Sequence, residues 1–209
     1  MKTLNTLLSI FFLSFWAHAF DVLPPTMSDT RTSQGTVTVS PDSGISDQFG
    51  TWTVTHTVGK DSIATQGGIR LQLPDVWHAG PRNSANRLQA TEPKADNYIH
   101  AYSSNPAVTL HTQVEAQHPE ELIKHRKNSL DGRTERYVFV VRVILTKGTL
   151  NEGDSINVIY GDTTQGSRGY RAPAISAKAR PILLAIDSMG DSTFTRHSDL
   201  PTLTSLPGP

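Results

Sequence analysis

Hydrophobic and polar residues alternate with a period of two along much of the chain. In residues 51–58, one face carries Trp52, Val54, His56 and Val58, while the other carries four threonines. This alternation is typical of a β-strand with one buried and one solvated face. The same pattern predicts further strands through Val37 and Val39, through Ile69, Leu71 and Leu73, through Val108, Leu110, Thr112 and Val114, and through Ile156, Val158 and Tyr160.

One segment is apolar on both faces. Residues 137–145 are hydrophobic apart from Arg142, and they are rich in β-branched valine and isoleucine, which lose side-chain freedom in a helix. The pattern therefore predicts a central strand that is covered on both sides. Residues 182–186 form a shorter segment of the same kind.

Turn-forming residues separate these segments, and they decide the fold class. Clusters of Gly, Pro, Asn and Asp occur at 41–44, 67–68, 105–106, 131–132 and 151–154. Many short strands between such turns favour an all-β fold, an antiparallel two-sheet sandwich of the immunoglobulin or fibronectin type. A closed β-barrel is the alternative, and periodicity does not distinguish the two. The one helical candidate, residues 119–127, is expected to be a short insertion.

The ends of the chain have a different composition. Lys2, an apolar run over residues 7–16 and Ala17-His18-Ala19 have the features of a cleavable signal peptide. We expect cleavage after Ala19, export to the periplasm or the exterior, and no membrane insertion afterwards. The predicted division is therefore a signal peptide at 1–19, an N-terminal lead at 20–35, a β-sandwich at 36–197, and a proline-containing linker or edge strand at 198–209.

The amino-acid composition excludes several classes of function. The chain has 19 Lys and Arg against 19 Asp and Glu, so it lacks the basic excess with which nucleic-acid binders neutralise phosphates. It has no cysteine, which excludes disulfides, thiolate metal sites and a cysteine nucleophile. An exported domain of this size can still bury enough surface to fold without disulfides.

The histidines do not form a recognisable metal motif. His111, His118 and His125 are spaced by seven residues, which on a helix is a rise of about 10 Å, too far to share one ion. His-x-His, Gly-x-Ser-x-Gly and phosphate-binding glycine loops are absent from the sequence. We therefore predict no catalytic residue, no metal ligand and no cofactor in this chain.

Two further features invite a functional interpretation. Residues 187–192 are rich in Asp and Gly like a calcium loop, but the twelfth position is Ser198 rather than an acid, which favours a hairpin turn. Trp52 and Trp77 could stack on a sugar. Trp52 shares a face with Val54 and Val58, which favours the core, so Trp77 is the candidate ligand contact.

Three segments together resemble a known family. Residues 49–59, 67–74 and 150–162 are similar in order and spacing to the N-terminal region of domain-of-unknown-function family 3604, a family of secreted bacterial proteins. The resemblance implies that this β-rich region precedes a larger domain similar to metal-dependent hydrolases of the polymerase-and-histidinol-phosphatase type. Their ligands begin with a His-x-His pair, and no position of this sequence matches one.

Three functional hypotheses follow. The first is a non-catalytic accessory β-sandwich of an exported hydrolase-like protein, whose partner would be that metal-dependent domain on the same polypeptide. The second is a free-standing glycan-binding or adhesion module that uses Trp77. The third, an independent enzyme, is motivated only by the number of histidines.

Overall fold

The computed structural model describes residues 32–73, 77, 88–116 and 139–209. The described elements begin with a short 3-10 turn, Thr32–Gln34. The strands are β1 Gly35–Ser40, β2 Ser43–Ile45, β3 Phe49–Gly50, β4 Trp52–Val58, β5 Gly68–Gln72, β6 Ile99–Ser103, β7 Thr109–Ala116, β8 Phe139–Lys147, β9 Ser155–Tyr160, β10 Tyr170–Arg171, β11 Ala177–Pro181, β12 Leu183–Asp187, β13 Thr195–Arg196 and β14 Thr202–Leu206.

The first sheet has four antiparallel strands in the order β1-β4-β9-β6. Burial alternates along β4 and β9, as the sequence pattern predicts. Trp52, Val54 and Val58 point inward from β4, and Ile156 and Val158 point inward from β9. The outward positions of both strands are half-buried, which leaves one face of this sheet open to solvent.

The second sheet has five antiparallel strands in the order β13-β12-β5-β8-β7. The described part of the predicted central strand, residues 139–145, is confirmed as a strand that lies between β5 and β7. Val141, Val143 and Leu145 are buried on one face, whereas on the other face Val140 is buried and Arg142 and Ile144 are half-buried. The segment at 182–186 is also confirmed as a strand, β12, with Leu184, Ala185 and Ile186 buried.

The two sheets face each other across one hydrophobic core. The core contains inward residues of both sheets, including Val54 and Val158 from the first and Leu71, Val143 and Leu184 from the second. The all-β sandwich prediction is thus confirmed. In the described part of the chain each sheet is open, so the barrel alternative does not hold.

Strand β5 departs from its predicted pattern. The alternation of Ile69 and Leu71 with Arg70 and Gln72 predicts one solvated face, yet all five residues of the strand are buried. On the outer side, the guanidinium carbons of Arg70 and Arg142 lie 5.1 Å and 5.7 Å from the centre of the Phe194 ring. This aromatic ring covers the polar face because a cation is attracted to the ring's electron-rich surface.

The C-terminal tail is an inner strand, so its interpretation as a linker or edge strand is wrong. Strand β14 lies between β11, to which it is antiparallel, and β2, to which it is parallel. Pro201 and Pro207 stand just outside the strand, where a missing N–H removes no ladder hydrogen bond. The tail therefore belongs to the folded domain. The helical candidate at 119–127 lies outside the described residues.

Strand β9 is bounded by two glycine turns, as expected. Gly153 precedes it with φ +89° and Gly161 follows it with φ +76°, a region that glycine adopts without strain. The surroundings differ: a Cβ at Gly153 would meet open space, whereas one at Gly161 would overlap the backbone nitrogen of Tyr170 and lie 2.6 Å from the carbonyl oxygen of Gly50.

Gly161→Ala should therefore be much more destabilising than Gly153→Ala. Both changes impose the left-handed strain of roughly 1 kcal/mol, but only the first also pushes strand β9 away from β10. We expect Gly161→Ala to lower the free energy of unfolding by at least about 2 kcal/mol more than its control. Urea unfolding followed by tryptophan fluorescence measures both, and equal losses would contradict the close approach at Gly161.

Candidate ligand-binding face

The open face of the first sheet carries no charged residue. Its outward positions are occupied by threonine, serine, asparagine, isoleucine, histidine and tyrosine, whereas the whole chain has 38 Lys, Arg, Asp and Glu. These residues are Thr36, Thr38, Ser40, Thr53, Thr55, Thr57, His100, Tyr102, Ser155, Asn157 and Ile159. We call this surface the hydroxyl face, since hydroxyl groups dominate it.

The strand register aligns the hydroxyl face into rows that cross the sheet. Thr38 pairs with Thr55, Thr55 with Asn157, and Asn157 with Tyr102, so one residue of each strand lies in the central row. With about 4.8 Å between neighbouring strands, this row extends for roughly 14 Å. We call it the Thr38–Tyr102 row.

Hydrogen bonds orient the middle of this row. The Thr55 hydroxyl donates to Oδ1 of Asn157 over 2.9 Å, and Nδ2 of Asn157 donates to the Ser155 hydroxyl over 3.2 Å. The Asn157 amide is thereby held in one orientation, and the Thr55 and Ser155 oxygens keep lone pairs for further donors. The face is consequently preorganised at its centre.

Aromatic rings line the edge of the hydroxyl face. Tyr102 is 46% exposed on the outer strand β6, and His100 lies two residues before it on the same side. The Tyr98 ring stacks on His100, with centroids 6.3 Å apart and planes 20° apart. Tyr98, His100 and Tyr102 thus form an aromatic strip, which sequence reasoning missed. Their alternation with Ile99 and Ala101 would have indicated a strand with an aromatic face.

Hydrogen bonds with residues 168–171, at the start of β10, hold the turn before β6 in place. Asn97, at φ +58°, donates its backbone N–H to the Gly169 carbonyl over 2.9 Å, and its Oδ1 accepts from the Arg171 N–H over 2.9 Å. Next to it, Arg168 binds the Asp96 carboxylate with two N–H groups, which lowers the pKa of Asp96. These contacts set the position at which Tyr98 enters the strip.

The Tyr98 side chain is buried, unlike that of Tyr102. Burial, together with the nearby Asp162 carboxylate, raises the pKa of Tyr98, so the ring stays a neutral phenol at physiological pH. The Asp162 carboxylate in turn accepts the Thr164 N–H over 2.9 Å at the end of strand β9. The Tyr98 side chain is therefore uncharged, and the Asp162 carboxylate lies near it at the inner end of the strip.

Trp77 does not contact solvent, which corrects its interpretation as a ligand contact. The side chain is fully buried, and its ring lies 5.3 Å from that of Trp52 in an edge-to-face arrangement. The Tyr170 hydroxyl donates to the Trp77 carbonyl oxygen. Trp77 is instead part of an aromatic core group with Trp52, Tyr160 and Tyr170, and burial raises the pKa of both tyrosines.

The histidines serve different structural roles. His56 is buried, and its Nε2 donates to the Gln34 carbonyl oxygen over 2.8 Å. Burial lowers the pKa of His56 to about 4, so the ring is neutral at pH 7. His197 lies 6.0 Å away, centre to centre, and its Nδ1 accepts the Asp199 N–H over 3.1 Å. His111 is exposed on β7, and His118 and His125 lie outside the described residues.

The Asp187 segment is the loop of a hairpin, as the favoured interpretation predicted. Strands β12 and β13 pair on either side of it. The Asp187 carboxylate accepts the N–H groups of Gly190 over 2.7 Å and of Ser192 over 2.9 Å. Both of its oxygens are thus used to close the turn. Across residues 32–73, 77, 88–116 and 139–209, no three His, Asp or Glu side chains are grouped as metal ligands would be.

The described residues contain no helix that is long and apolar enough to cross a membrane. No family model matches the chain, and no curated protein matches it at a significant level. The similarity to domain-of-unknown-function family 3604 therefore stays a prediction from the three segments that suggest it.

Proposed function

We propose that this chain is a non-catalytic accessory module of an exported, hydrolase-like protein, and that its contribution is a binding surface. The observation that carries the proposal is the hydroxyl face, an open sheet surface of eleven residues without a single charged side chain. Edge strands of natural sheets often carry charges that prevent association, and neither β1 nor β6, the two outer strands of this sheet, contains one. Such a surface is suited to contact another molecule.

The proposal also includes export and a partner domain. The signal-like residues 1–19 support export to the periplasm or exterior, and the family resemblance supports a metal-dependent hydrolase-like domain on the same polypeptide. The binding surface would then hold that domain near its substrate. The second candidate is a free-standing adhesion module, which the same hydroxyl face favours and which needs no partner domain.

One measurement separates these possibilities. Intact-mass spectrometry of the protein isolated from its own host should give a polypeptide that begins at Phe20 and is heavier than residues 20–209. A mass equal to residues 20–209 would overturn the accessory role and favour the free-standing module. A mass that retains Met1 to Ala19 would overturn export through a cleaved signal peptide.

A further inference from the structure

We infer that the hydroxyl face binds a neutral polysaccharide chain along the Thr38–Tyr102 row. This inference rests on the proposed binding role and names the ligand class and the site. Three properties of the face support it: its lack of charge, the spacing of its hydroxyl groups and its aromatic edge.

The lack of charge selects a neutral ligand. An ionised ligand loses part of its hydration at a surface, and this loss is expensive unless an opposite charge replaces it. None of the eleven residues of the hydroxyl face is a lysine, arginine, aspartate or glutamate. A phosphate, a uronic acid chain or a nucleic acid would therefore gain little there, whereas an uncharged molecule avoids the cost of desolvating an ion.

The hydroxyl groups select a ligand that both donates and accepts hydrogen bonds at regular intervals. Thr36 lies opposite Thr57, Thr38 opposite Thr55, and Ser40 opposite Thr53, which makes three pairs of hydroxyls on adjacent strands. Each hydroxyl offers one donor and two acceptor positions and can rotate to suit its partner. Sugar hydroxyls have the same dual capacity and repeat along a polysaccharide. The Thr38–Thr55 pair lies in the Thr38–Tyr102 row itself, and the other two pairs lie on either side of it.

The aromatic edge supplies the apolar part of the recognition. A sugar ring has an apolar face of C–H groups that packs against an aromatic ring through dispersion and the hydrophobic effect. Tyr102 stands at the end of the row and is 46% exposed, and Asn157 is its neighbour on β9. One sugar ring on Tyr102 would place the following units over Asn157, Thr55 and Thr38.

The test uses affinity electrophoresis of the exported chain in native gels that contain one polysaccharide each. The neutral probes are mixed-linkage β-glucan, galactomannan and arabinose-free xylan, and the anionic probe is polygalacturonate. We expect retardation by at least one neutral probe and none by polygalacturonate. Because no charge contributes, retardation should change less than about twofold between 50 and 500 mM NaCl.

Two variants locate the site. Tyr102→Ala should weaken binding at least about tenfold through the lost stacking surface. Thr38→Val, which keeps the side-chain shape and removes a hydroxyl, should weaken it about threefold. Met189→Ala, at a 75% exposed position on the β12–β13 hairpin, is the matched control and should bind like the unmodified chain. Circular dichroism melts confirm that all three variants remain folded.

Each of the following outcomes would overturn the inference, and none of them affects what the mass measurement says about the proposed function. Retardation by no neutral probe would reject the ligand class, and retardation by polygalacturonate that disappears in salt would indicate an anionic ligand. Neutral binding that survives in both Tyr102→Ala and Thr38→Val would place the site elsewhere. Sedimentation that shows self-association abolished by Tyr102→Ala would identify the occupant as a second copy of the chain.

Discussion

Replacing Val141 with aspartate should strongly destabilise the protein. Val141 is 1% exposed, in the central strand β8, and pairs with Leu71 on β5 and Val114 on β7. A carboxyl group at this position loses its hydration without gaining a partner, at a cost of at least about 4 kcal/mol. That cost is a large part of the roughly 5–15 kcal/mol that stabilises a typical domain. We expect the melting temperature, followed by circular dichroism, to fall by roughly 10 °C or more.

Thr146→Asp is the matched control for this substitution. It introduces the same carboxylate on the same strand, at an exposed position whose hydroxyl donates only to the Thr109 carbonyl. We expect it to change stability by no more than about 1 kcal/mol. If Val141→Asp melted at the same temperature as Thr146→Asp, the placement of β8 at the centre of the core would be wrong.

Acid should destabilise the protein through His56. The folded state lowers the pKa of His56 from 6.5 to about 4, so between these values the unfolded chain binds a proton that the folded chain does not. The stabilising contribution of neutral His56 is therefore complete above pH 6.5 and declines as the pH falls towards 4. A pKa shift of this size corresponds to roughly 3 kcal/mol of unfolding free energy.

His56→Gln isolates this contribution. Glutamine can keep the donor to the Gln34 carbonyl but does not titrate, so its unfolding free energy should depend less on pH between 7 and 4. Urea unfolding at pH 7, 5.5 and 4 measures the difference. His111→Gln, at an exposed histidine of β7, should keep the full acid sensitivity. Identical pH profiles for His56→Gln and the unmodified chain would show that burial does not hold His56 neutral.

Much of the fold could be predicted because it depends on local patterns. The alternation in β4 follows from which residues are apolar, and the apolar character of residues 137–145 indicates a strand flanked on both sides. The burial of Arg70 and Gln72 could not be predicted in this way, because Phe194, which lies over Arg70, comes from the β12–β13 loop more than a hundred residues further along the chain. The same is true of β14, whose neighbours β11 and β2 come from opposite parts of the chain.

The candidate site depended on the tertiary structure even more strongly. The sequence presents the threonines of β1 and β4 as ordinary solvated positions, and it suggests Trp77 as the aromatic contact. Only strand pairing brings Thr38, Thr55, Asn157 and Tyr102 into one row, because their separations along the chain range from 17 to 119 residues and a shift of one residue would turn each side chain to the other face.

By itself the sequence determined the class of the molecule: a cysteine-free, all-β chain in which the alternating faces of single strands can be assigned from residue type. The tertiary structure decided which strands meet, which polar residues are covered and which aromatic side chain reaches solvent. The physical reason is that alternation is a property of neighbouring residues, whereas burial and register depend on distant segments that pack together in the folded chain.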